Sequence, residues 1–349
     1  MENWIFIAGL VLALVLIFRW SFKTLPGERW QILCTIPLSK TRAGSWQGLN
    51  LTYYGVFNAL ALCAAVTLML ILAGAVGMSF SVLAGVVCVL LGFCLPASRL
   101  IARWVEGKAY TFSVGAAVFV GILLGPWLLV LAAMAAKQGL AVSIFPLPLL
   151  AAALVGYALG EGIGRLACIS FGCCYGRPMD QMPAWFQQYF AWMAFTYSGP
   201  TKKVAYAHQL DGQRVFAVQA VTAVLYCAGA LVGSLLFLEG AFGAAFLLCL
   251  TVTQGWRFCS EFLRADYRGN RSISAYQIMS LVAIPYGAII IWVFPAPAVG
   301  ADLVTGIRML WDPLVLLFLQ ALGVLMFLRA GRSQVTGADL TFHVHLNRV

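Results

Sequence analysis

Two short stretches of this chain gather residue types able to do chemistry. GEGIGRLACISFGCCYGRP, residues 160–178, carries Glu161, Arg165 and three of the ten cysteines, Cys168, Cys173 and Cys174. WRFCSEFLRADYRGNRS, residues 256–272, carries Arg257, Glu261 and Arg264. Glu161 and Arg165 stand four apart, as do Arg257 and Glu261, so on a helix each pair shares one face, with Arg264 about one turn further on. An arginine fork suits phosphate, and an ionisable residue among apolar neighbours marks a polar cavity or an internal clasp. The clasp alternative has Arg257 and Glu261 neutralising each other.

The cysteines admit several readings. A thiol beside Arg165 or His208 is a candidate nucleophile, because a nearby cation stabilises the thiolate. A disulfide requires the oxidising side of a membrane, and a structural or cavity-lining role needs neither. Cys173 and Cys174 are adjacent and no second C-x-x-C follows, which is poor spacing for a metal site. No metal and no cofactor is therefore expected. The other seven cysteines lie mostly in apolar runs, where they pack as small hydrophobes. No Walker loop, serine elbow, HExxH or dinucleotide fingerprint is present.

The elements that hold these residues lie in a membrane. Hydrophobic residues make up 62% of the 349 positions and charged ones 10%, with a mean hydropathy of +0.91, against roughly 25% charged in a soluble domain. The expected fold is an all-α polytopic membrane protein with about nine spans: 4–20, 52–73, 77–98, 111–135, 146–163, 214–237, 241–263, 274–294 and 311–328. The first lacks a basic leader and a small-residue cleavage site, so it reads as a retained anchor. Residues 21–51 read as a basic linker and 164–213 as an extramembrane cap, whose WFQQYFAWMAF portion suits the membrane interface. The net charge of +10 speaks to lipid headgroups and topology; without a zinc finger, stacking platform or basic tail, no nucleic-acid partner is expected. Arginine and lysine crowd alternate loops. By the positive-inside rule the crowded side faces the cytoplasm, with the amino terminus outside.

Taken in order, four segments resemble the prolipoprotein diacylglyceryl transferase family: LTYYGVFNALAL (51–62), GRLACISFGCCYG (164–176), GWRFCSEFLRADYRG (255–269) and AYQIMSL (275–281). The resemblance spans roughly residues 50–295 and implies a seven-helix core around a lipid-lined cavity. It divides the chain into an extra helix and basic linker at 1–50, a transferase-like core at 51–295 with its cap at 164–213, and an extra helix and tail at 296–349. It implies a bacterial inner-membrane enzyme that takes a phosphatidylglycerol-like donor, with the acceptor, lipid or protein, left open. Carried over by position, Arg165 and Arg257 hold the phosphate and Glu261 orients Arg257. Tyr54 lines the lipid site, and Gly164 and Gly176 belong to the signature loop. Cys174, His208 and Arg264 join the substrate site. Three positions depart from the family pattern: its histidine falls at Ser113 in TFSVGAA, an asparagine at Cys168 and an acidic residue at Cys173. These departures keep a second expectation open, a phospholipid-binding or transport protein derived from the transferase fold. Topology adds a separate conflict: the family's site opens toward the periplasm, whereas the charge bias assigns the same loops to the cytoplasm.

Overall fold

In a computed structural model, residues 1–42, 44–106, 114–137, 144–265, 273–294 and 297–349 are described. A helix stands at each of the nine expected places: α1 (Glu2–Thr24), α2 (Tyr53–Ala75), α3 (Phe80–Glu106), α4 (Val114–Lys137), α5 (Pro146–Phe171), α8 (Val218–Leu238), α9 (Phe242–Ser260), α10 (Ala275–Val293) and α12 (Pro313–Ala330). Short helices α6 (Ala184–Phe190) and α7 (Lys203–His208) lie in the cap, and α11 (Leu303–Met309) precedes α12.

Among the described residues, seven of these helices are long and apolar enough to cross a membrane, not nine. Helix α9 falls short because it spends its second half on Thr251, Thr253, Gln254, Arg257 and Ser260. A helix that carries polar groups toward a cavity scores poorly as a lipid-facing span, for the same reason that it matters.

The bundle is tightest where α5 crosses α2. A Cβ at Gly156 would lie 2.5 Å from the Ala65 carbonyl oxygen, and one at Gly160 would lie 2.6 Å from the Ala65 Cβ. Small residues let the two backbones meet, which in lipid replaces the missing hydrophobic drive between helices. Helix α5 is correspondingly the most buried span, at 72% of its apolar window. It also runs eight residues past the expected end at 163, to Phe171. Arg165 and Cys168 therefore stand on a buried helix rather than in a loop.

The expectation of helices alone needs correction at one end of the bundle. The linker and tail form an antiparallel sheet in the order β1–β2–β5, from Ile32–Lys40, Trp46–Thr52 and Arg332–Leu340. Within the cap, β3 (Ala194–Thr196) pairs with β4 (Arg214–Phe216). Sheet and cap are tied together: Gln31 Nε2 donates to the Thr201 carbonyl at 2.7 Å, and Thr201 Oγ1 donates to Gln31 Oε1 at 2.9 Å. Buried Lys202 donates from Nζ to the carbonyls of Leu25 at 3.2 Å and Ser170 at 2.6 Å. It thus caps the C-terminal end of α5 and pins it to the end of α1. Around α6, Trp185, Tyr189 and Trp192 are exposed, as an aromatic belt at headgroup depth requires.

Candidate functional site

The site is built from three helix ends that meet beneath the cap. On α5, Tyr157, Glu161 and Arg165 recur at four-residue intervals and share one face. On α8, Gln219, Thr222 and Tyr226 do the same at intervals of three and four. Arg257 closes the third side from the last turn of α9. Their side chains line a small polar cavity walled by Arg165, Arg257, Arg264, Glu261, Cys174 and Gln219, with Val218, Thr222, Tyr226 and Ser260 completing the wall.

The ion pairs differ from the clasp that spacing suggested. Arg165 pairs with Glu161, one turn away on the same helix. Helix α9 stops at Ser260, and Glu261–Leu263 form a tighter 3-10 turn. That turn carries Glu261 away from Arg257 and toward Arg264, whose Nη1 lies 3.8 Å from Glu261 Oε1. Arg257 makes no ion pair among the described residues. Its guanidinium carbon lies 5.6 Å from the ring centroid of Tyr276, a cation–π contact.

Both ion pairs are almost fully enclosed, with side-chain exposures of 14% and 9% for Arg165 and Glu161, and 7% and 4% for Arg264 and Glu261. Among the described residues, two opposed pairs plus Arg257 leave the wall with one excess positive charge. Arg165 Nε and Gln219 Oε1 are also buried without a hydrogen-bond partner among the described residues. Orphaned polar atoms of this kind are costly and point to a polar guest. The rest of the wall is locked: Tyr226 Oη donates to the Thr253 carbonyl at 2.6 Å, and Trp256 Nε1 to Thr222 Oγ1 at 2.7 Å. Gln219 Nε2 donates to the Cys173 carbonyl at 2.7 Å and to Tyr197 Oη at 3.0 Å. Gln277 completes the capping box of α10 with Ser274 and donates to the Phe258 carbonyl at 3.1 Å.

Beside this cavity lies a thiol cluster. Gly172, with φ +70°, ends α5 in the left-handed conformation. The Gly172 N–H donates to Ile169 O and the Cys173 N–H to Cys168 O, the bond pair of a Schellman turn. This turn folds Cys173 back against Cys168, and Cys174, itself at φ +58°, follows. The three Sγ atoms lie within 4.8 Å of one another. Adjacent cysteines thus converge through the turn, contrary to the spacing argument against a cluster. A hydrogen bond with Cys168, another with Cys174, and burial hold the Cys173 thiol well above its ordinary 9.0. Unaided, it is a poor thiolate nucleophile.

Of the expected site residues, Arg165, Arg257, Glu261, Arg264 and Cys174 meet in the cavity. Cys168, Cys173 and Tyr54 form its neighbour: the Tyr54 ring stacks edge-on against Phe171 at 5.6 Å and lies within electrostatic reach of all three thiols. Gly176 bridges to Arg264 and packs on the Phe216 backbone. At Gly164 a Cβ would meet nothing closer than Ala61 Cβ at 3.7 Å, so no steric demand explains that glycine. His208 is not brought in. It sits exposed at the end of α7, hydrogen-bonded to buried Tyr175. Ser113 lies outside the described residues.

Sequence reasoning missed Gln219, Thr222 and Tyr226, although a polar stripe on an otherwise apolar helix was there to be read. It also missed Gly115. A Cβ there would lie 1.8 Å from Arg257 Nη2 and 1.9 Å from its guanidinium carbon, so the bare backbone of α4 forms the bed on which Arg257 rests.

Comparison with known families fits this geometry. No curated protein and no solved structure gives a significant match. The family model described as prolipoprotein diacylglyceryl transferase matches residues 43–293, more than two thirds of the chain. The match takes in all three arginines, the thiols and Gly115. On that extent of match, the chain belongs to the prolipoprotein diacylglyceryl transferase family, as a phospholipid-dependent, lipid-modifying transferase of the bacterial inner membrane that draws on a phosphatidylglycerol-like donor.

Proposed function

We propose that the arginine cavity holds the glycerol phosphate end of the donor while its diacylglyceryl part is transferred to an acceptor thiol of a lipoprotein precursor. The observation that carries this reading is the convergence of Arg165, Arg257 and Arg264 on one cavity, with one excess positive charge among the described residues and Arg165 Nε buried without a partner among them. Arg257, with no carboxylate partner among the described residues, is the principal phosphate ligand. Arg165 and Arg264, each held by its own glutamate, complete the clamp and meet the charge that develops on the leaving phosphate. Glu261 acts by positioning Arg264 rather than Arg257. Acyl chains extend from the cavity along apolar helix faces. In this arrangement α4 and α9 also cross the membrane, α1 and α12 are additions to the 51–295 core, and the β1–β2–β5 sheet joins the two additions.

The test is mass spectrometry of lipids and lipidated peptides from membranes expressing the full chain or Arg257→Ala at matched levels. A diacylglyceryl product that appears with the first and falls at least about 100-fold with the second is expected. Identical product-free spectra, with phospholipid co-purifying only with the unaltered chain, replace the transferase reading with phospholipid binding or transport.

A further inference from the structure

Three thiols converge beside the phosphate cavity, and only one of them opens onto it. Cys168 and Cys173 are 9% and 8% exposed, whereas Cys174 forms part of the cavity wall. Zinc holds thiolates at about 2.3 Å, which places three ligands roughly 4 Å apart. The Sγ atoms already lie within 4.8 Å of one another, so rotamer adjustments of less than about 1 Å close the triangle. The backbone is committed to this arrangement. The Schellman turn sets Cys173 on Cys168, and Cys174 adopts φ +58°, the left-handed conformation that a residue with a Cβ takes only against a steric penalty.

Charge argues the same way. Three buried thiols packed together cannot all ionise, since each thiolate repels the next. A divalent cation removes that barrier and deprotonates its ligands outright. Three thiolates around Zn²⁺ carry a net charge of minus one. Arg165 lies within electrostatic reach of Cys168 and Cys174, so this complex anion has a counter-cation in place.

We propose that Cys168, Cys173 and Cys174 form a three-thiolate zinc site whose fourth position faces the arginine cavity and takes the acceptor thiol. This proposal rests on the transferase reading above. Its chemistry supplies something the thiols lack alone, a thiolate at neutral pH. The acceptor thiol loses its proton to water as its sulfur binds zinc. That sulfur then attacks the diacylglyceryl carbon attached to the phosphate oxygen. The carbon–sulfur bond forms, the carbon–oxygen bond breaks, and glycerol phosphate leaves with the bonding pair into the arginine clamp. No electrons are gained or lost overall. Three protein ligands plus one open position is the zinc arrangement suited to catalysis rather than to structure.

The experiment uses the full chain in detergent, reduced, stripped with chelator and reloaded with Co²⁺ or Zn²⁺. One metal per chain and a cobalt–thiolate charge-transfer band are expected. Cys174→Ser, at the half-exposed cavity wall, should lose about a third of that band, in proportion to one of three sulfur ligands. A short peptide containing one cysteine should shift the cobalt visible bands, and its alanine counterpart should not. Transfer should disappear on chelation and return with Zn²⁺. Failure of the reduced chain to retain either metal, with transfer continuing in chelator, overturns the zinc site and leaves the transferase reading intact. Retention of metal with no response to the cysteine peptide overturns the acceptor role. Metal and peptide bound normally, with no lipid product under any condition, refutes the transferase reading instead.

Discussion

Gly115→Ala is the sharpest test of the arginine site, because it adds one methyl group and touches no charge. The new Cβ would lie 1.8 Å from Arg257 Nη2, against roughly 3.5 Å for an ordinary contact. The guanidinium must therefore retreat by about 1.7 Å, the difference between those two distances. A misplacement near 1 Å at a reacting centre costs about 100-fold in rate, or roughly 2.7 kcal/mol of barrier. Helix α4 itself should not suffer, since alanine in a helix is about 1 kcal/mol better than glycine. The assay is formation of diacylglyceryl peptide from phosphatidylglycerol and a cysteine peptide, with thermal unfolding followed alongside. The variant is expected to lose about 100-fold in kcat/KM at an unchanged or higher Tm. The decisive control is the double-mutant cycle with Arg257→Ala. If Gly115 acts by seating Arg257, its substitution costs nothing once the arginine is gone. An equal loss in both backgrounds, or a single variant within threefold of the parent, refutes the reasoning.

Two further outcomes follow from packing and burial elsewhere in the chain. Gly306→Ala sets a Cβ 2.1 Å from the backbone oxygen of Ile71, which no rotamer can relieve; it should cost about 2 kcal/mol of stability, read as a lower Tm in detergent, while activity per folded molecule holds. Lys202 is lowered from 10.5 to about 8 by burial, opposed by Glu28 and Cys173. Between those two values the unfolded chain holds the proton and the folded chain does not, so stability rises with pH across that window. A Tm profile from pH 7 to 10.5 should show this rise in the parent and lose it in Lys202→Met; parallel profiles would show that Lys202 is not the titrating group.

The positions of the nine helices were legible because apolar length leaves few alternatives in lipid. The polar second half of α9 was harder to read, since its polar content reflects what the helix faces rather than whether it crosses. The sheet was hidden for a different reason. The β2 segment WQGLNLT lacks strict alternation, and its partner β5 lies some 280 positions away, as the Leu51–Arg332 pairing shows. Nothing local announces such a pairing. The extension of α5 to Phe171 was masked by the run Gly160, Gly162 and Gly164, which reads as loop although Gly160 and Gly162 serve helix contact.

The arginines were legible as residues, and their partners were not. Four-residue spacing predicts a shared face only while the helix continues, and α9 tightens into a 3-10 turn at Glu261. That single change of pitch gives Glu261 to Arg264 and leaves Arg257 uncommitted. The consequence is electrostatic. A phosphodiester carries one negative charge, and one excess positive charge balances it in the ground state. When glycerol phosphate departs, its phosphate gains a second negative charge, and the orphaned Arg165 Nε stands ready as a donor for it. On the proposed assignment that hydrogen bond is made only as the bond breaks, which is the condition for raising rate rather than affinity alone.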